Sequence, residues 1–188
     1  MKIDTLECIL LTGRWMDDPS FPQALHATAF VRIGTDKGLE GLGEITLGYF
    51  TPESVPALVD YYRPVVVGKD PLQITALTRA LYDDSVFWAR TGAGRSVISG
   101  IELALWDLLG KIHNVPVYQL LGGAVRERIP VYASGGPTCW PKEENLRKVG
   151  LYARLGYRAA KLSTGFYERL ALTENSGARP NEARENSA

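Results

Sequence analysis

An aspartate and a lysine lie four residues apart in a stretch that carries several unusual features. Asp107 and Lys111 belong to IELALWDLLGKIHNVPVYQLLGG, whose apolar residues recur at helical spacing. A carboxylate there could act as a catalytic acid. An Asp at position i and a Lys at i+4 also form a helix-surface ion pair that needs no chemistry to explain it. We favour the ion pair and keep the catalytic acid as the alternative.

The other side chains that could bind a metal are scattered along the chain. Cys8 and Cys139 are far apart, and neither His26 nor His113 has ligand spacing around it. Two isolated cysteines predict free thiols in a cytoplasmic protein rather than disulfides. Four glutamates in the polar C-terminal stretch are expected to be solvated charges: Glu168, Glu174, Glu182 and Glu185. We therefore predict no intact metal site in this chain.

The overall charge excludes two classes of partner. The chain has 188 residues, and its 21 Lys and Arg balance its 21 Asp and Glu. Zero net charge removes the main electrostatic argument for binding nucleic acid or an anionic membrane surface. No apolar run reaches the roughly 18 residues of a membrane span. Asp4 and Glu7 interrupt what would be the apolar core of a signal peptide.

Strand patterns precede helix patterns in the first 128 residues. Residues 2–11 alternate as a strand, and two more β runs flank a turn at residues 35–38, which predicts an antiparallel meander with no helix in residues 27–33. Helices are predicted from Thr51, from Asp70, where Leu72 shares a helical face with Leu77 and Leu81, and over a long third segment. The apolar arc of that third helix is Val97, Ile98, Ile101, Ala104, Leu105, Leu108, Leu109 and Ile112.

The pattern changes to alternating strands and helices after residue 128. IPVYAS predicts a strand, PKEENLRKVGLYARLG a helix, and RAAKL a second strand. A connection of that length suits a parallel β-α-β crossover rather than a hairpin. The residues that follow are polar and contain no third apolar strand. From residue 167 onward we predict a disordered tail.

Three stretches resemble the enolase superfamily, in its mandelate racemase/muconate lactonizing enzyme family. They are the hairpin VRIGTDKGLEGLGE, the helical stretch IELALWDLLGKIHNVPVYQLLGG and the strand GYRAAKLS. The resemblance implies an α+β fold, in which residues 1–128 form an enolase-like N-terminal capping domain. Residues 129–166 would then be the first β/α units of an incomplete (β/α)₈ TIM barrel.

The resemblance also implies a chemistry. Family enzymes are lyases or isomerases that use Mg²⁺ to assist proton abstraction α to a carboxylate, so the substrate would be a small carboxylate or acid sugar. Dehydration of an acid sugar is the first expectation, with racemisation or cycloisomerisation as the others. The family's metal ligands belong to later barrel strands, so Mg²⁺ is not expected to bind this chain, which should be inactive. The alternative is a non-catalytic binding or oligomerisation module, and we expect self-association.

Candidate site residues follow from the same resemblance. The family carries K-x-K on the second barrel strand; here Lys161 matches the first lysine and is the candidate base. Ser163 occupies the second position, although a hydroxyl is no base at neutral pH without an activating partner. Two family loops that close over the barrel mouth correspond to segments rich in large apolar residues. Their candidate substrate contacts are Trp15, Met16, Phe21, Tyr49 and Phe50; alternatively, these side chains pack beneath their own loops.

Overall fold

Three antiparallel strands begin the molecule. The computed structural model describes residues 1–14, 25–135 and 141–162. Strands β1 (Ile3–Arg14), β2 (Leu25–Thr35) and β3 (Glu40–Ile45) form a sheet in the order β1-β2-β3. The predicted meander is confirmed, and residues 27–33 lie in β2.

The turn between β2 and β3 explains why the second hairpin is so tight. Gly38 has a φ of 73°, a left-handed conformation that glycine adopts without a Cβ penalty. Its N–H donates to the Thr35 carbonyl over 2.9 Å, and the Thr35 hydroxyl donates to the Leu39 carbonyl over 3.0 Å. Along β3, buried and exposed side chains alternate strictly. One face of the sheet is therefore buried in the core.

Four helices follow: α1 (Val55–Val66), α2 (Ile74–Asp84), α3 (Gly92–His113) and α4 (Val117–Leu120). The prediction that helical structure starts at Thr51 is confirmed in position, because Thr51 is the N-cap of a 3₁₀ helix that leads directly into α1. Residues Pro52–Ser54 form a 3₁₀ turn, and the Thr51 hydroxyl donates to the Glu53 carboxylate instead of capping the backbone. Among the described residues, no helix is both long and apolar enough to cross a membrane.

The start of the second helix differs from the prediction. Helix α2 begins at Ile74, because the Asp70 carboxylate accepts the Leu72 N–H over 3.0 Å and holds the preceding residues in a turn. Leu72 is consequently 45% exposed and does not share the buried face of Leu77 and Leu81. A local side-chain bond to the backbone competes with helix formation at this point.

Helix α3 forms the centre of the core. Its fully buried apolar residues are Val97, Ile98, Ile101, Ala104, Leu105 and Leu108. The helix lies so close to β3 that a Cβ on Gly43 would fall 2.0 Å from the Gly100 carbonyl oxygen, and one on Gly100 would fall 2.5 Å from Ile45. Burying each aliphatic side chain contributes about 1.5–3 kcal/mol. The sheet and α3 therefore stabilise each other at close range.

A left-handed residue closes the end of α3. Asn114 is left-handed, with φ 53°, and its N–H and that of Val115 bond to the last carbonyls of the helix. The short helix α4 follows with Pro116 at its N-cap. These bonds close α3.

The chain divides into two units, which meet in the sequence at Val125 and Arg126. In the second unit, β4 (Ala133–Ser134), α5 (Lys142–Arg154) and β5 (Ala160–Lys161) form the predicted parallel β-α-β arrangement. Helix α5 has acidic residues in its first turn and Arg154 in its last, which suits the helix dipole. The boundaries 1–128, 129–166 and 167–188 stay predictions, and residues 167–188 lie outside the described part.

Candidate functional site

Three aromatic side chains form a continuous group where β2 begins and β3 ends. The Tyr49 ring lies 4.8 Å from the His26 ring and 4.9 Å from the Phe50 ring, centre to centre. Tyr49 is 39% exposed and Phe50 is 61% exposed. We call His26, Tyr49 and Phe50 the aromatic tip. Large rings that are ordered but solvent-accessible are suited to contact a ligand.

The aromatic tip is fastened to the core by its backbone. Tyr49 ends a 3₁₀ turn, Thr46–Tyr49, in which the Leu47 N–H donates to the Ser96 hydroxyl of α3 over 3.0 Å. Gly48 lies against β2 so closely that a Cβ there would meet the Ala29 side chain at 2.4 Å. The rings are therefore presented by a segment whose backbone is held from two sides.

The candidate base lies in the other unit. Lys161 is exposed at the end of β5, opposite Ser134 in the parallel pair, and its carbonyl accepts the Gly135 N–H over 3.2 Å. Its ammonium is thus at the carboxyl end of a parallel strand, where α/β folds place their functional groups. The structure supplies the position of Lys161; its role stays a prediction.

A second lysine near these strand ends was missed from the sequence. Lys148 of α5 is only 3% exposed, and its Nζ lies 5.8 Å from the centre of the Tyr152 ring and close to Gly135. Tyr152 donates its hydroxyl to the Ser134 carbonyl over 3.3 Å. Burial lowers the pKa of the Lys148 ammonium. The sequence signal for this contact was the i, i+4 spacing, which places Lys148 and Tyr152 on the same face of α5.

Asp107 has a structural position. Its carboxylate accepts the Leu42 N–H of β3 and the Lys111 ammonium, each over 2.8 Å, and Lys111 also donates to the Glu40 carbonyl over 2.8 Å. The pair therefore joins α3 to the neighbouring strand. These contacts support the ion-pair interpretation over the catalytic acid.

The described residues do not fit a magnesium ion. Within 1–14, 25–135 and 141–162, no three His, Cys, Asp or Glu side chains come together in a group that could hold a metal. Mg²⁺ requires several oxygen ligands in near-octahedral geometry. The predicted contacts Trp15, Met16 and Phe21, and the candidate Ser163, lie outside the described residues.

Similar proteins share both the sequence and the fold of this chain. A D-galactonate dehydratase family member of Marinomonas sp. is 36% identical over 135 residues, and a D-mannonate dehydratase of Sphingomonas sp. is 38% identical over 136 residues. Each match covers 72% of this chain and 33% of the relative. The chain therefore spans about a third of the length of these relatives.

A solved structure and a family model are also similar to this chain. The 3,6-anhydro-D-galactonate cycloisomerase of Zobellia galactanivorans superposes with a TM-score of 0.75 at 30% identity, covering 91% of this chain and 46% of that one. The model of the mandelate racemase/muconate lactonizing enzyme N-terminal domain matches residues 22–122, more than half of the chain. The chain thus belongs to the mandelate racemase/muconate lactonizing enzyme family of the enolase superfamily and contains its N-terminal domain.

Proposed function

We propose that this chain supplies the capping domain and the first barrel strands of an enzyme that removes water from an acid sugar. The observation that carries the proposal is the family match over residues 22–122, together with relatives named as D-mannonate and D-galactonate family dehydratases. Racemisation and cycloisomerisation are the other reactions to consider. Because Cys8 is a half-buried free thiol, we place the protein in the cytoplasm.

The aromatic tip contacts the substrate in this proposal. The Phe50 ring offers an apolar surface to the carbon–hydrogen face of the sugar, while the Tyr49 hydroxyl is free to rotate toward a sugar hydroxyl. Ser96 and Gly48 fix the backbone beneath these rings, which reduces the entropy lost on binding. Tyr49 and Phe50 therefore influence which acid sugar is accepted.

Lys161 is the proposed base for the proton α to the carboxylate. A bound Mg²⁺ would supply charge stabilisation for the enediolate. Because the described residues do not fit that ion, we assign no step through it. What this chain offers is an amine at the end of β5, able to accept a proton only in its neutral form.

A binding or oligomerisation module is the second candidate function. In the described part of the second unit Ile129, Val131 and Tyr132 are 76%, 68% and 56% exposed, beside a sheet in which β4 and β5 pair with each other. Apolar side chains next to open strand edges favour association with other chains. Self-association is the simplest form of that behaviour.

An activity assay of the full 188-residue chain tests the division between these functions. With Mg²⁺ and a panel of acid sugars, we expect no turnover, because the described residues bring no metal ligands together. Turnover by the chain alone would overturn the proposal that it supplies only part of the site.

A domain exchange tests the capping role directly. Residues 1–125 of this chain would replace the corresponding segment of the Sphingomonas sp. D-mannonate dehydratase. We expect the chimera to dehydrate D-mannonate, and Tyr49→Ala with Phe50→Ala to lower kcat/KM by about tenfold, mainly through KM. Tyr118→Ala is the matched control, since Tyr118 is 50% exposed and lies on α4. A folded chimera that is unaffected by the double change would contradict the role of the aromatic tip.

A further inference from the structure

A series of hydrogen bonds connects helix α5 to the proposed base through a single peptide group. The carbonyl of Ser134 accepts the Tyr152 hydroxyl over 3.3 Å. The N–H of Gly135 donates to the Lys161 carbonyl over 3.2 Å. The Ser134 carbonyl and the Gly135 N–H belong to the same peptide unit, which is planar because its C–N bond has partial double-bond character. A contact that fixes this carbonyl therefore also fixes the N–H that holds Lys161.

Helix α5 leaves this peptide group little room to move. A Cβ on Gly135 would fall 2.6 Å from the Tyr152 hydroxyl oxygen and 3.4 Å from Nζ of Lys148, so both side chains lie directly against the strand end. The φ of Gly135 is 146°, a conformation that residues with a side chain rarely adopt. Lys148 is 3% exposed, and its Nζ lies 5.8 Å from the centre of the Tyr152 ring. The Tyr152 hydroxyl is therefore held at the strand end by packing as well as by its own bond.

The Tyr152 hydroxyl is a lasting donor in this series. Burial raises the pKa of Tyr152, and the neighbouring Tyr157 adds to the rise, so the phenol keeps its proton. Hydrogen bonds in series polarise one another, and the bond from Tyr152 therefore strengthens the bond to Lys161. The Ala133 N–H donates to the Ala159 carbonyl over 3.0 Å through a different peptide unit. This earlier bond of the same strand pair lies outside the series and provides an internal reference.

We propose that Tyr152 is a positioning residue for the proposed base and acts on Lys161 through the peptide group between Ser134 and Gly135. This inference rests on the proposed function of Lys161. By fixing the Lys161 carbonyl, the series of bonds fixes the backbone from which the lysine side chain departs at the carboxyl end of β5. The amine then samples fewer directions, and proton transfer requires it to lie within hydrogen-bond distance of the proton. Tyr152 acts through this backbone and takes no part in the reaction itself.

Nuclear magnetic resonance of the full 188-residue chain measures the coupling between these bonds. Tyr152→Phe removes the hydroxyl and keeps the ring. It should speed amide exchange at Gly135 about fivefold, the effect of losing one hydrogen bond, and weaken the scalar coupling between the Gly135 nitrogen and the Lys161 carbonyl carbon. Tyr157→Phe is the matched control, because its ring is 6.2 Å from that of Tyr152, and it should change neither value. Unchanged exchange at Gly135 in Tyr152→Phe, or equal acceleration at Ala133, would overturn the proposal.

A kinetic comparison separates this inference from the proposed function. Residues 1–162 of this chain would replace the corresponding segment of the Sphingomonas sp. D-mannonate dehydratase. Turnover that survives Lys161→Ala, or an inactive chimera, would overturn the proposed function, while the resonance experiment still decides the coupling. If Lys161→Ala abolishes turnover, Tyr152→Phe should lower kcat about threefold to tenfold and leave KM within about twofold, because it displaces the base and not the substrate. A kcat no lower than that of Tyr157→Phe would overturn the positioning role alone.

Discussion

The two units of this chain treat apolar residues very differently. In the first, three antiparallel strands and helices α1–α3 enclose one continuous core that includes Leu6, Ile33, Ile101 and Leu105. In the described part of the second, Ala133 and Lys148 are the buried residues, whereas most apolar side chains around β4 are exposed. In an antiparallel meander, the strands that pair are neighbours in sequence. A parallel pair needs additional strands to bond to its outer edges and to bury its side chains.

Of the changes that test this difference between the units, truncation of a core side chain should have the largest effect on the free energy of unfolding. Leu105→Ala removes a fully buried side chain from α3 and should lower the free energy of unfolding by about 2–5 kcal/mol. Leu155→Ala in the second unit, where the side chain is 65% exposed, should cost less than about 0.5 kcal/mol. Urea unfolding followed by circular dichroism compares them. Equal losses would mean that the Leu155 side chain contributes as much burial as that of Leu105.

The link between α3 and β3 should have a smaller effect. Asp107→Ala removes the acceptor of the Leu42 N–H and the partner of Lys111, and should cost about 1 kcal/mol because the side chain is partly exposed. Asp83→Ala breaks a more exposed pair with Arg79 and should cost about 0.3–0.5 kcal/mol. Unfolding midpoints at two salt concentrations separate the cases. If Asp107→Ala costs no more than Asp83→Ala, the link does not fix the strand.

The second unit should become more stable as the solution becomes alkaline. Burial lowers the pKa of Lys148 in the folded chain, so the unfolded chain binds more protons between that pKa and the ordinary value near 10.5. Stability should rise with pH across this window, and at neutral pH the full cost of the buried ammonium is present. Lys148→Met should remove the slope, and Lys142→Met, at an exposed position, should keep it. Amide exchange of α5 as a function of pH is the measurement.

The first unit should also lose stability as pH falls, but in the acid range and with the smallest effect. The Lys2 N–H donates to the Asp36 carboxylate over 2.9 Å and lowers the pKa of Asp36. This contribution is present above the unfolded value near 3.8 and is lost as pH falls through the lowered folded pKa. Asp36→Asn should make acid unfolding slightly less steep. Superimposable acid limbs for the two proteins would show that the bond contributes nothing.

Local patterns were sufficient for the strands, for α3 and for the β-α-β order, because alternation, helical spacing and the Gly38 turn are properties of neighbouring residues. They were not sufficient for the start of α2, nor for the 3₁₀ geometry of the turn before α1. Before α2, the Asp70 carboxylate accepts the Leu72 N–H and overrides the helix-start signal. A Pro near a helix start does not fix the first helical residue, because a neighbouring side chain can accept a backbone N–H and hold a turn there instead. The residue types alone do not decide between the two outcomes.

Part of the candidate site was predictable, because some of its residues stand out from their sequence neighbours. Tyr49 and Phe50 were selected as large apolar residues in polar surroundings. The contact of Tyr49 with His26 and the bond from Leu47 to Ser96 join residues far apart in the sequence, and no local pattern reports them. Lys148 was missed because a lysine on an amphipathic helix ordinarily lies in solvent. Its burial follows from the strand ends that α5 covers.

The contact between Gly43 and Gly100 has a consequence for recombination among relatives. A Cβ on Gly43 would meet the backbone of α3, and a Cβ on Gly100 would meet Ile45 and the Glu44 backbone of β3, so this strand–helix spacing requires glycine at both positions. A crossover placed between β3 and α3 would join a strand from one parent to a helix from another and would fail whenever either parent carries a Cβ there. Crossovers before β1 or after α4 leave the pair intact, and viable natural or laboratory hybrids should be enriched in them.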